Sequence, residues 1–210
     1  SVLDRVLRHN LRNKLNVVAG HATTLTDAPD SDPETIRTAG ERISAAADSL
    51  LDIAEAVREF GDDTTIDGQT GKQRDLASLV EQTVPRLEVT YPEANVETVT
   101  PESALAICPD QIEFCLDKLF DDAIDRSGET PNITVSVVDR NDVVELRVHD
   151  DGETMPQIER RALMAGSETP LEHTQGIALW LVRWAVEGVG GQFRVDAENG
   201  TTVTLSLPAN

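Results

Sequence analysis

A chain of 210 residues has room for one large domain or two small ones, and 39% hydrophobic residues suffice for ordinary cores. The formal net charge is -20, from 38 Asp and Glu against 18 Lys and Arg, and the acidity is spread along the chain instead of gathered in a tail. Such dispersed charge argues against nucleic acid, whose phosphates it would repel. It argues for a protein kept hydrated in molar salt, where screening removes most of the self-repulsion, so an extreme halophile is the expected source. Cys108 and Cys115 are too few for a disulfide framework and read as core residues in a reducing, cytoplasmic compartment. No apolar run approaches the ~18 residues a membrane span needs. The chain opens at Ser1 already inside a helical pattern, which suggests an upstream sensor module.

Leu3, Leu7, Leu11, Leu15, Val18, Ala22 and Leu25 recur in steps of three and four, the stripe of an amphipathic helix from Val2 to Leu25. His9 lies off that stripe, ~200° around the helix from both Leu7 and Leu11, and Asn13 one turn later shares its face. Arg5, Arg8, Arg12 and Lys14 crowd the same segment of an otherwise acidic chain, placing positive charge where a phosphoryl group or an acidic partner would sit. His9 therefore reads as a nucleophile offered to the rest of the chain; a solvated basic face is the plain alternative. The helix breaks at Asp27 to Pro33, where Asp32 can cap a second helix and Pro33 fits its first position. Ile36, Ala39, Ile43, Ala46, Leu50, Ile53 and Val57 then alternate three and four, a bundle seam. Two helices cannot bury both seams alone, so a homodimeric four-helix bundle is expected, with packing on the following domain as the alternative.

Gly61 to Gly71 is polar and glycine-rich, and a domain boundary is expected there: a helical hairpin over 1–60, a linker over 61–74 and a second domain over 75–210. In that domain a helix is expected from Asp75 to Glu88, short strands at Asn95 to Thr100 and Leu105 to Ile107, and a helix from Pro109 to Arg126. Ile133 to Val138 and Val143 to His149 alternate apolar and polar residues around Asp139 to Asp142, which predicts a hairpin. Helices near Pro156 to Ala165 and Gly176 to Glu187 follow, then a closing hairpin turned by Asn199-Gly200. The fold class is α+β: a helical hairpin followed by a two-layer α/β sandwich.

Four landmarks in this order resemble the histidine-kinase family of two-component signalling, especially its halophile variants. His9 and Asn13 are similar to the phosphoacceptor His and the polar residue four positions on, with Asn10 where an acid usually follows. Lys118 and Asp122 stand at the places of the two Asn residues of the ATP-binding helix. Asp150-Asp151-Gly152-Glu153-Thr154 and Thr174-Gln175-Gly176-Ile177-Ala178 resemble the two glycine boxes, with Thr154, Thr174 and Ala178 in place of glycine. Glu168 to His173 resembles the lid, and Gly190-Gly191 the turn into the last strand. The resemblance implies catalytic roles for His9 and Asn13, ATP binding by Asp122, Arg126, Asp150, Gly152 and Gly176, and Mg2+ on Asp122. It also implies a response-regulator receiver domain as the partner. Two functions stay open: ATP-dependent autophosphorylation of His9 with transfer to a regulator Asp, or a degenerate kinase acting as a phosphotransfer intermediate or regulatory dimer without ATP.

Overall fold

The computed structural model describes residues 2–27, 32–60, 71–165 and 175–209. Helices α1 (Val2–Asp27) and α2 (Pro33–Phe60) pack against each other as a hairpin. The start of α2 follows from its first residues: Asp32 Oδ1 accepts the backbone N–H groups of Glu34 and Thr35, each at 3.0 Å, and Pro33 needs no partner for an N–H it lacks. Along α2 the buried positions Ala39, Ala46, Ile53 and Phe60 recur every seven residues. The companion row behaves differently, with Ile36 exposed and Ile43, Leu50 and Val57 half-buried. On α1 the expected stripe is displaced: Leu15 is 55% exposed, whereas Asn10, off the stripe, is buried. The contact face spreads over Leu7, Asn10, Leu11, Val18 and Leu25, wider than a single row of leucines.

The second unit is built from β1 (Gly71–Asp75), α3 (Leu76–Thr90), β2 (Asn95–Val99), β3 (Leu105–Pro109), α4 (Ile112–Arg126), β4 (Asn132–Asp139), β5 (Val143–Asp150), α5 (Gln157–Ala165), α6 (Gln175–Gly188), β6 (Gln192–Asp196) and β7 (Thr201–Pro208). Five strands form a sheet in the order β2-β4-β5-β7-β6, with β2 parallel to β4 and the other neighbours antiparallel. Period-two alternation gives this sheet one apolar face. Its register stacks Val135, Val148 and Val203 in one row and Val137, Leu146 and Leu205 in the next, all buried. Over that face lie α4, which buries Cys115, Leu116, Leu119 and Phe120, and α6, which buries Leu179, Leu181 and Val182. Cys108 and Cys115 are buried free thiols.

The segment expected as a linker over 61–74 becomes regular structure at Gly71, where β1 begins and pairs antiparallel with β3. Lys72, Gln73 and Arg74 carry no apolar alternation; backbone pairing with Ala106, Ile107 and Cys108, not side-chain pattern, makes them a strand. The rest of that segment lies outside the described residues. Asp75 closes β1 and caps α3, its Oδ1 accepting from Ala77 N at 3.1 Å and Ala104 N at 2.9 Å. The end of α2 meets this unit through Phe60, whose ring lies 5.3 Å edge-on to Phe114 and 5.7 Å from Trp184, beside an ion pair of Glu59 with Lys118 at 2.9 Å.

Candidate functional site

The candidate residues fall at two places, one on α1 and one where α4, β5 and β7 converge. On α1, His9 is half-buried and its Nε2 lies 3.0 Å from Asn13 Nδ2, the contact that i,i+4 spacing on one helix face creates. The amide can pair with Nε2 in either sense, so the contact orients the ring. Asn10, the neighbour standing where an acid might be, is turned into the hairpin and buried.

At the second centre, Asp150 is the last residue of β5 and is buried. Its Oδ1 accepts the backbone N–H of Gly152 at 3.0 Å. Burial pushes its carboxyl above the usual carboxylate range, partly offset by the Arg126 guanidinium and by the backbone N–H groups of Gly152 and Thr201. Gly152 has a packing role that the glycine-box pattern does not reveal. A Cβ there would stand 2.4 Å from the carbonyl oxygen of Arg126, and the same carbonyl accepts Glu153 N at 3.0 Å, so the loop after β5 is pinned to the end of α4. Gly200, at φ 98°, plays the same part from the other side, its missing Cβ leaving room for the carbonyl of Asp150. Thr201, buried and paired with Asp150 in the β5–β7 register, accepts Met155 N on its hydroxyl at 3.0 Å and so fixes the loop's far end.

Asp122 faces the same place from α4. It is buried and ion-paired with Arg126 one turn on, and Arg126 Nε lies 3.9 Å from Asp150 Oδ2. Burial lowers the Arg126 pKa, against the pull of Asp150 and of Glu159 from α5. Asp122, Arg126, Asp150 and Gly152 lie close together, whereas Gly176 sits in the first turn of α6. Thr174 and the lid from Glu168 to His173 lie outside the described residues. Lys118 does not join this cluster: its ammonium is committed to Glu59 and to Asp121, at 2.9 and 3.2 Å. Gly200 and Thr201 border the same place, because the Asn199-Gly200 turn sets Thr201 opposite Asp150 at the end of β5.

Residues 108–210 match the family described as histidine kinase-, DNA gyrase B-, and HSP90-like ATPase. The core so matched has the fold of solved sensor histidine kinases. Among solved structures, this core superposes on histidine kinase ThkA in complex with response regulator protein TrrA, with a TM-score of 0.64, 20% identity and coverage of 97% of this chain and 60% of that one. Acinetobacter baumannii histidine kinase AdeS gives 0.56 at 16% identity, over 96% of this chain and 98% of that one. The mycobacterial sensor histidine kinase MprB gives 0.56 at 20% identity, over 66% and 97%. In sequence the core is 30% identical over 97 residues to the "Probable C4-dicarboxylate sensor kinase" of Halalkalibacterium halodurans, 43% of this chain but 18% of that protein. The β5 end combines a desolvated carboxylate, Asp150, with backbone held close through Gly152 and Gly200. Among the described residues no helix is long and apolar enough to cross a membrane.

Proposed function

We propose that this core carries a phosphoryl group on His9 and passes it to an Asp of a response-regulator receiver domain, with ATP held at Asp150 as the donor. The observation that supports this best is the 3.0 Å contact of Asn13 Nδ2 with His9 Nε2, because it holds the imidazole of a half-buried histidine in a fixed orientation, as a positioned nucleophile needs. Asp150 would accept the adenine amino group, a donor for which a buried carboxylate has a use. Gly152 and Gly176 would lend backbone to the nucleotide, and bound ATP would supply the phosphoryl group. Arg8, Arg12 and Lys14 lie within five residues of His9, where cationic side chains can offset charge on a phosphoryl group. Hairpin positions Leu15, Ile36 and Leu51, exposed at 55%, 46% and 64%, support a homodimeric bundle. The dispersed acidity supports operation in molar salt inside a cell.

A second reading is favoured by Asp122. Its pairing with Arg126 leaves the residue expected to hold Mg2+ already neutralised, as in a degenerate kinase that relays phosphate or regulates as a dimer without ATP. The deciding experiment incubates the protein with γ-labelled ATP and Mg2+ in molar KCl, alongside His9→Gln. Acid-labile label lost in His9→Gln supports the kinase. No label from ATP, but label accepted from a phosphorylated receiver domain, establishes the relay and overturns ATP as donor.

A further inference from the structure

Arg126 is where the residues and the family's usual cofactor disagree. A hard divalent ion on Asp122 needs a carboxylate oxygen facing open space or nucleotide phosphate. Here the carboxylate is buried beside the Arg126 guanidinium, which also reaches toward Asp150 Oδ2 at 3.9 Å; both Asp122 oxygens and Arg126 Nε and Nη2 are without a hydrogen bond, so what holds the pair is charge. The side chains of Asp122, Arg126 and Asp150 are 4%, 10% and 3% exposed, so bulk water does little to screen them. Arginine cannot give up its proton at any working pH, and a guanidinium matches carboxylate geometry better than an ammonium would. The charge is therefore permanent. Glu159, on α5, adds further attraction on Arg126. Among the described residues no three His, Cys, Asp or Glu side chains converge on a point that could hold a metal ion.

We propose that Arg126 is the resident cation of this pocket: it neutralises Asp122 and Asp150 in place of a divalent metal, and an adenine nucleotide binds here without one. A second cation at Asp122 would have to displace a buried guanidinium or endure it as a neighbour of like charge. The inference rests on reading Asp150 as the adenine acceptor and is independent of whether His9 is ever phosphorylated.

The test is calorimetric titration of the intact chain with ADP in molar KCl, once with magnesium chloride and once with EDTA. The expected Kd values agree within about threefold. In Arg126→Gln the freed Asp122 can take the ion, and Mg2+ should tighten ADP binding by about tenfold or more, which is ~1.4 kcal/mol. Should Arg126→Gln fail to fold, Arg126→Lys keeps the charge, and its binding is expected to stay insensitive to Mg2+. Wild-type binding that Mg2+ tightens by more than about threefold overturns the inference and leaves an ATP-driven kinase standing. No ADP binding in either buffer overturns both.

Discussion

The helical hairpin and the α/β sandwich solve the same problem with unequal means. In the sandwich, large side chains such as Leu116, Phe120, Leu146 and Leu205 are wholly buried between a sheet face and two helices. In α2 the inward row contains Ala39 and Ala46 before it reaches Ile53 and Phe60, and Leu51 stays 64% exposed. Small buried side chains let two helices approach closely, but each removes little apolar area from water. The sandwich can be stable by itself, whereas the hairpin draws its stability from the helix end it shares with the sandwich and, as proposed above, from a second copy.

The largest expected effect tests the sandwich side of that contrast. Leu146→Ala removes a side chain from the middle of the Val137-Leu146-Leu205 row and should cost about 2–5 kcal/mol, read as a lowered urea midpoint. Leu51→Ala on the hairpin should move the midpoint of the isolated chain by no more than about 0.5 kcal/mol. Equal costs would break the comparison.

Phe60→Ala comes next, at about 2–4 kcal/mol, because it empties the contact with Phe114 and Trp184 through which α2 leans on the sandwich. Its diagnostic readout is hydrogen exchange. Protection should fall along α2 by more than it falls in β5 and β7, since the strands keep their own core. Uniform loss of protection would mean that hairpin and sandwich unfold as one unit.

These two regions were also unequally legible in the sequence. The β4, β5 and β7 alternation is an inside-outside code that a two-sided sheet obeys closely, and the α2 start follows from Asp32 and Pro33. β1 gives no such signal, since Lys72, Gln73 and Arg74 become a strand through backbone pairing with β3. Leu15 and Asn10 exchange the roles their polarity suggests, because a helix in a bundle buries a face set by its neighbours and not by its own leucines. At the site, the positions of Asp122 and Asp150 were readable from element order. The Asp122–Arg126 pairing was available in the i,i+4 spacing, but spacing alone does not tell a buried pair from a solvated one.

A smaller effect concerns the start of α3, within the sandwich. Asp75 ends β1 and caps α3, and Asp75→Ala should cost ~1 kcal/mol. Its carboxyl is held below the usual range first by the Ala104 N–H, against burial, with Ser103 and Ala77 assisting. A depressed folded pKa means that the unfolded chain binds the proton more readily, so this stabilisation is complete above the ordinary value of 3.8 and fades as pH falls through the folded one. The difference between wild type and Asp75→Ala should therefore be constant near neutrality and shrink only in acid; a difference that shrinks already between pH 5 and 7 would assign it to another group.

The smallest effect separates charge from packing at the docking contact. Lys118 Nζ reaches Glu59 at 2.9 Å and Asp121 at 3.2 Å, with the Glu59 side chain 46% exposed. An ion pair so open to solvent is screened, and Glu59→Gln should cost less than about 1 kcal/mol in dilute buffer and nothing measurable in molar salt. Phe60→Ala should cost as much or more in molar salt, because burial of an aromatic ring is not screened and is favoured by excluded salts. Urea midpoints for both variants at low and molar KCl read this directly. If Glu59→Gln kept its cost in molar salt while Phe60→Ala lost its own, the hairpin would be held to the sandwich by charge, and the acidic composition would have to be explained at this contact and not over the whole surface.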